Sequence, residues 1–138
     1  MAPVSDLAQL LRAMEPVLHP GTYAFVSLSE DTRLNTSDVI ASIRETEGLS
    51  VVVAQALGEQ AGLTPAFLCR WITLTVHSDL HAVGLTAAFA GALANAGISC
   101  NVVAGTHHDH LFVPVDRADD AMTALRALQG GCWPRLAR

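Results

Sequence analysis

The feature that most constrains this chain is one stretch, TLTVHSDLHAVGLTAAFAGALANAGISCNVVAGTHHDHLFVPVD, from Thr73 to Asp116. Its pattern reads as strand, tight turn, helix, strand, hairpin, strand. Cys69–His77 alternates, with Ile72, Leu74 and Val76 on one face and Trp71, Thr73, Thr75 and His77 on the other. The helix spans about Val83 to Ala96, with Leu85, Ala88, Phe89, Ala92, Leu93 and Ala96 as its core stripe, and Gly97 ends it. Ile98–Ala104 and Leu111–Val115 are expected strands around the turn Gly105–Asp109. Asp116 is placed to cap a last helix, with Asp119 and Asp120 in its first turn and Ala118, Ala121, Met122, Leu125 and Leu128 on its apolar stripe. A strand–helix–strand–strand–helix succession of this kind is one strand short of a ferredoxin-like unit.

The preceding half is a shorter version of the same grammar. Residues 5–18 read as an amphipathic helix, capped by Ser5 or Asp6 and stopped by Pro20-Gly21. Thr22–Leu28 alternates as a strand, and 29–36 is a polar loop. A helix is expected from Ser37 or Asp38 to Gly48, carrying Val39, Ile40 and Ile43, with Arg44 favourable at its C-terminus. Val51-Val52-Val53 marks a buried strand at Leu49–Ala54, followed by a short helix at 56–61 and a connector at 63–67. The simplest organisation is two small α+β units with antiparallel sheets and helices packed on one face. The expected boundaries are an abbreviated unit with a leading helix at 1–67, a fuller unit at 68–129 and an irregular tail at 130–138. The fourth strand of the second unit is left to the first half or to the tail around Trp133.

Composition narrows the function classes. Half of the 138 residues are hydrophobic and 15% are charged, so the chain can bury a core. Its net charge is −5, and its eight basic residues, all arginine, are scattered, which argues against a nucleic-acid partner. No apolar run reaches bilayer length and no secretory leader pattern is present, so the expectation is a cytoplasmic protein with no membrane partner. Cys69, Cys100 and Cys132 lack zinc-site or disulfide-framework spacing. No GxSxG elbow or phosphate-binding GxxxxGK[ST] loop occurs, and there is no lysine at all. A catalytic Cys-His or His-Asp arrangement would have to be assembled from Cys69, His77, Asp79 and the hairpin. The chain is therefore read as non-catalytic, with no cofactor and no catalytic residue.

Several segments carry a family resemblance. PGTYAF at 20–25 and RETEGLS at 44–50, then HSDLHAVGLTAA at 77–88 and GISCNVVAGTHHDHLFVPVDRA at 97–118, resemble the signatures of two ACT-type units in one stand-alone bacterial chain. ACT domains are small regulatory modules that bind amino acids. The resemblance covers roughly residues 5 to 128. It implies a ferredoxin-like fold, a homodimer or higher homo-oligomer, and a small-molecule ligand held between ACT units. In such modules the loop between first strand and first helix holds the ligand with help from the second strand of a neighbouring unit. Here those positions are Ser78 to Leu85 and Ile98 to Val103.

Residue chemistry points to the same loop. Backbone amides near Val83, Gly84 and Leu85 at a helix start can receive a carboxylate. Asp79 can pair with an ammonium group, Ser78 can donate or accept, and Gly84 leaves room for a ligand to approach its backbone. His77, Leu80 and His81 complete the loop, and Ser99, Asn101, His108 and Asp109 are the candidates beside it. The alternative is structural: Ser78 or Asp79 caps the helix, and Gly84 lets it pack. The run His107-His108-Asp109-His110 is a second candidate, for a divalent transition metal, with His108 and His110 on one strand face. Its alternative is a turn braced by side-chain hydrogen bonds. A third class remains, a purely structural interaction module, with the Ala- and Gly-rich helix as its contact. The favoured reading is an amino-acid-binding regulatory or sensor protein.

Overall fold

The computed structural model describes residues 6–131. Its residues pack as two compact units, one of residues 20–70 and one joining residues 6–19 to 71–131. Both are α+β with ferredoxin-like topology.

In the smaller unit, β2 (Tyr23–Leu28) pairs antiparallel with β4 (Gly48–Ala54), and β4 pairs antiparallel with β3 (Val39–Glu45). The other edge of β2 takes the start of β5 (Phe67–Leu74), through Tyr23↔Cys69 and Phe25↔Phe67. Helix α2 (Gln55–Gln60) links β4 to β5. The strand order β3-β4-β2-β5 is that of a βαββαβ unit whose first helix is replaced by residues 29–38. Only a short 3-10 turn, Thr36–Asp38, remains there. Ala24, Val26, Leu28, Val51 and Val53 form the core.

The helix expected between residue 37 and Gly48 is instead this turn followed by β3. Val39, Ile40 and Ile43 are β-branched, and their side chains fit a pleated surface better than a helix. The Val51–Val53 run offers an edge to pair with, and the register from Ala41↔Val52 to Glu45↔Gly48 closes a tight hairpin. Gly48 makes that turn possible. Its φ is +144°, and a Cβ there would meet the Leu28 carbonyl oxygen at 2.7 Å. Arg44 and Glu47 are exposed on this hairpin.

In the larger unit, α1 (Leu7–Ala13) is capped by Asp6, whose carboxylate accepts from the Gln9 amide at 3.0 Å. The helix expected to reach residue 18 stops early because Pro16 lacks an amide donor and restricts the residue before it. Pro16–Leu18 becomes β1 and pairs antiparallel with the end of β5, from Pro16↔Leu74 to Leu18↔Ile72. This N-terminal strand supplies the fourth strand that the second half lacked. The chain continues through α3 (Leu85–Asn95), β6 (Asn101–Ala104), β7 (Asp109–Pro114) and α4 (Ala118–Gln129), with strand order β1-β5-β7-β6. The leading helix, expected with the first unit, thus packs into the second. Leu10, Leu11 and Met14 join Ile72, Leu74, Phe89, Leu93, Leu111, Val113 and Leu125 in one core. Asp116 lies in a 3-10 turn, Val115–Arg117, rather than capping α4, and Asp119 and Asp120 do occupy the first turn of that helix. Trp133 and most of the tail lie outside the described residues. Among the described residues no helix is long and apolar enough to cross a membrane.

Two substitutions test these assignments. Gly48→Ala should lower the urea midpoint by the equivalent of more than about 1 kcal/mol, because it adds a clash to an unfavourable φ. Phe89→Ala empties the centre of the larger core and should cost about 3–5 kcal/mol by the same measurement.

Candidate functional site

The segment between β5 and α3 forms an ordered loop. Asp79 builds its turn, its side-chain Oδ1 accepting from the His81 amide at 2.9 Å and its carbonyl from the Ala82 amide at 2.9 Å. Leu80 and Val83 stand out into solvent, 66% and 85% exposed. Gly84 then turns the chain into α3 with φ +100°, a conformation that excludes most side chains. A Cβ there would lie 3.1 Å from Leu7 Cδ2, so Gly84 serves the packing of α1 as well as backbone access.

Neither Ser78 nor Asp79 caps α3. The N-cap of α3 is Gly84, which has no side chain to cap the helix, and no acidic residue lies in the first turn. The amides of that turn have no partner within the helix, so they keep their capacity to bind an anion. The expected carboxylate position near Val83, Gly84 and Leu85 is therefore chemically open, although Leu85 itself turns its side chain into the core.

The hairpin between β6 and β7 lies against this loop. Ser78 Oγ donates to Asp109 Oδ2 at 3.3 Å, and both side chains are buried. His108 Nδ1 lies 3.2 Å from the Val76 carbonyl and donates to it. The turn itself is closed by the Gly105 amide on the His108 carbonyl at 2.9 Å. The rings of His77 and His107 face each other with centroids 5.1 Å apart. Of the sequence candidates, the structure thus joins His77, Ser78, His108 and Asp109 in one loop–hairpin clasp, with Asp79 and His81 in the turn that follows it. Ser78 and Asp109 are occupied by each other, which removes Ser78 as a free contact for a ligand. Ser99 and Asn101 are exposed, with Asn101 opposite Phe112 in the β6–β7 ladder. Cys100 is half-buried against the core, as its strand position implied.

His108 and His110 do not converge on a shared point. His110 belongs to a second network that the sequence reading missed. The indole Nε1 of Trp71 donates to His110 Nδ1 at 3.1 Å, and Thr73 Oγ1 lies 3.0 Å from the same nitrogen. His19 Nε2 lies 2.7 Å from Thr73 Oγ1, and its ring stacks on Trp71 with centroids 3.5 Å apart. An indole can only donate, so His110 Nδ1 must accept and carry no proton. Thr73 then donates to His110 and accepts from His19. His19 of its own unit covers Trp71. The signal available in sequence was the shared face of Trp71 and Thr73, but nothing there pointed to His19. Burial holds the pKa of His19 below its ordinary value. Burial does the same for His110, reinforced by repulsion from His108 and His19 and opposed by Asp109.

Burial disfavours the thiolate form of both described cysteines. Burial pushes Cys69 up to about 12 and Cys100 up to about 11. Cys69 Sγ faces the Tyr23 carbonyl. Among the described residues no group of three or more His, Cys, Asp or Glu side chains is arranged around a common metal position. The smaller unit has a cleft of about 350 Å³, which sequence reasoning passed over as a polar loop. It is lined by Leu28, Ser29, Glu30, Arg33, Thr36 and Leu49 among others. Arg33 there donates to the Glu30 and Thr32 carbonyls.

The depressed pKa values of His19 and His110 carry a stability consequence. As pH falls through the ordinary value of 6.5, the unfolded chain takes up protons before the folded one does. Stability present above that pH is lost as pH drops toward the folded values. The melting temperature should fall between pH 7.5 and 5, and His110→Gln should flatten that dependence in the same calorimetric series.

Comparison with known proteins places this geometry. ACT-domain family models match residues 2–70 and 67–127. A search of the curated proteins finds no match. Among solved structures, a Vibrio cholerae protein of unknown function, described as a possible transport protein, is 45% identical. The match covers 89% of this chain and 95% of that one, with a TM-score of 0.75. The ligand-free regulatory subunit of aspartate kinase from Thermus thermophilus is 11% identical over 82% of this chain and 95% of its own, with a TM-score of 0.62. An Agrobacterium tumefaciens protein is 17% identical over 83% and 87%, with a TM-score of 0.61. At those identities the last two likenesses concern the fold. With both halves matched in order by the same family, the chain belongs to the ACT-domain proteins and carries two ACT units.

Proposed function

We propose that the protein is a non-catalytic regulatory module that binds a free amino acid at the start of α3. The observation that supports this most is the uncapped N-terminus of that helix behind an ordered loop. The first-turn amides take the α-carboxylate, and the partial positive charge of the helix end adds to the attraction. Asp79 pairs with the ammonium group, and the exposed Leu80 and Val83 offer apolar contact to a side chain. Membership of the ACT family supports the class of ligand, since these modules generally bind amino acids in regulatory roles. Ser99 and Asn101, exposed on and beside β6, are the positions from which a neighbouring ACT unit's ligand would be touched in a homo-oligomer. Binding across such an interface favours the subunit arrangement that closes it, which is how the signal would leave the site.

Gly84 is a poor probe of this reading, because its φ and its contact with Leu7 tie any replacement to stability. Asp79→Asn is better, since it keeps the acceptor oxygen for the His81 amide and removes the charge. The wild-type chain should gain melting temperature with one or a few of the twenty amino acids in a concentration-dependent way. At 100-fold excess over Kd the gain corresponds to about 2.7 kcal/mol. Asp79→Asn should melt near wild type without ligand and lose most of that gain. An undiminished gain in the variant removes Asp79 from the site, and no gain with any amino acid in the wild type refutes the reading.

A further inference from the structure

Six histidines are present in the chain. His19 and His110 are tied into the Trp71–Thr73 network, His108 is tied to the Val76 carbonyl, and His81 is exposed in the Asp79 turn. His77 and His107 are different. Neither ring has a hydrogen-bond partner among the described residues, and the two face each other with centroids 5.1 Å apart and planes 38° apart. We propose that His77 and His107 form a two-imidazole site for a divalent transition-metal ion of the zinc, nickel or copper class.

The spacing fits that chemistry. A metal-bound imidazole nitrogen sits about 2.0–2.1 Å from the ion, so two such rings on a tetrahedral centre have centroids about 5 Å apart. Imidazole nitrogen suits zinc, copper and nickel, whereas calcium and magnesium prefer oxygen donors. Each ring is carried by backbone that its neighbours hold in place. His77 lies between Val76, whose carbonyl receives His108 Nδ1, and Ser78, which bonds Asp109. His107 lies in the turn that the Gly105 amide closes on the His108 carbonyl. A pair pre-positioned in this way loses little freedom on binding an ion. His107 is exposed and His77 half-buried, so the remaining coordination positions open to water or to a donor from solution. This pair is not the one that strand alternation singled out, since His108 and His110 are spoken for.

The test uses the full chain stripped with a chelator. Calorimetric titration with Zn²⁺ should give one equivalent per chain that His77→Gln and His107→Gln each weaken by about tenfold or more. His81→Gln and Cys132→Ser should leave it unchanged. With Cu²⁺ in place of zinc, electron paramagnetic resonance should show coupling to two imidazole nitrogens, reduced to one in either variant. Circular dichroism of the variants checks that they fold. Absence of binding overturns the proposal, as does binding that survives both substitutions or that disappears with Cys132→Ser. Asp79 takes no part, so the amino-acid reading and the metal reading succeed or fail separately.

Discussion

Strand β5 is the element on which the rest depends. It is one continuous strand, yet its first residues pair with β2 and its last with β1. Within the larger unit its alternation sorts chemistry by face. Ile72 and Leu74 go to the apolar core under the helices, while Trp71 and Thr73 go to the opposite face with His110 and Phe112. A period of two leaves no freedom in that sorting, because a one-residue slip would bury Trp71 and Thr73 among leucines and expose Ile72. The polar members of the second face are buried or partly so, and each must find a partner. The His19–Thr73–His110 chain is the solution the fold reaches, and it requires an unprotonated Nδ1 on His110.

The loop beyond β5 inherits its geometry from the same source. The strand ends at Leu74, and three consecutive positions then meet the β6–β7 hairpin: Val76 with His108, His77 with His107, Ser78 with Asp109. These long-range contacts make a clasp from two segments about 30 residues apart in sequence. A glycine at the N-cap leaves the first-turn amides of α3 without a local side-chain acceptor.

Much of the larger unit was legible from sequence. The helix stripe Leu85–Phe89–Leu93, the β6–β7 hairpin and α4 all follow from apolar periodicity and from Gly97 and Gly105 as stops. The same reasoning failed at residues 37–48. There Val39, Ile40 and Ile43 fit a helical spacing, and Gly48 fits a helix end, but the Val51–Val53 strand offers an edge that a hydrophobic-moment argument does not see. The tight turn between β5 and α3 was legible as a turn. The partners were not: Ser78 looked like a ligand contact or a cap, and it is a hydrogen-bond donor to Asp109. His110 looked like half of a metal pair, and it is an acceptor for Trp71.

What the sequence determined by itself is what local chemistry controls: two α+β units, the strand–helix–strand–strand–helix succession from β5 to α4, and the tight turn before α3. Those depend on side-chain periodicity, on turn propensities and on the missing Cβ of glycine, all readable a few residues at a time. Only the tertiary structure decided that Pro16–Leu18 completes the larger sheet, that residues 39–45 pair rather than coil, and which histidines are tied and which are free. Each of those depends on a partner many residues away, and the energy of a strand edge or a buried hydrogen bond belongs to the pair rather than to either segment.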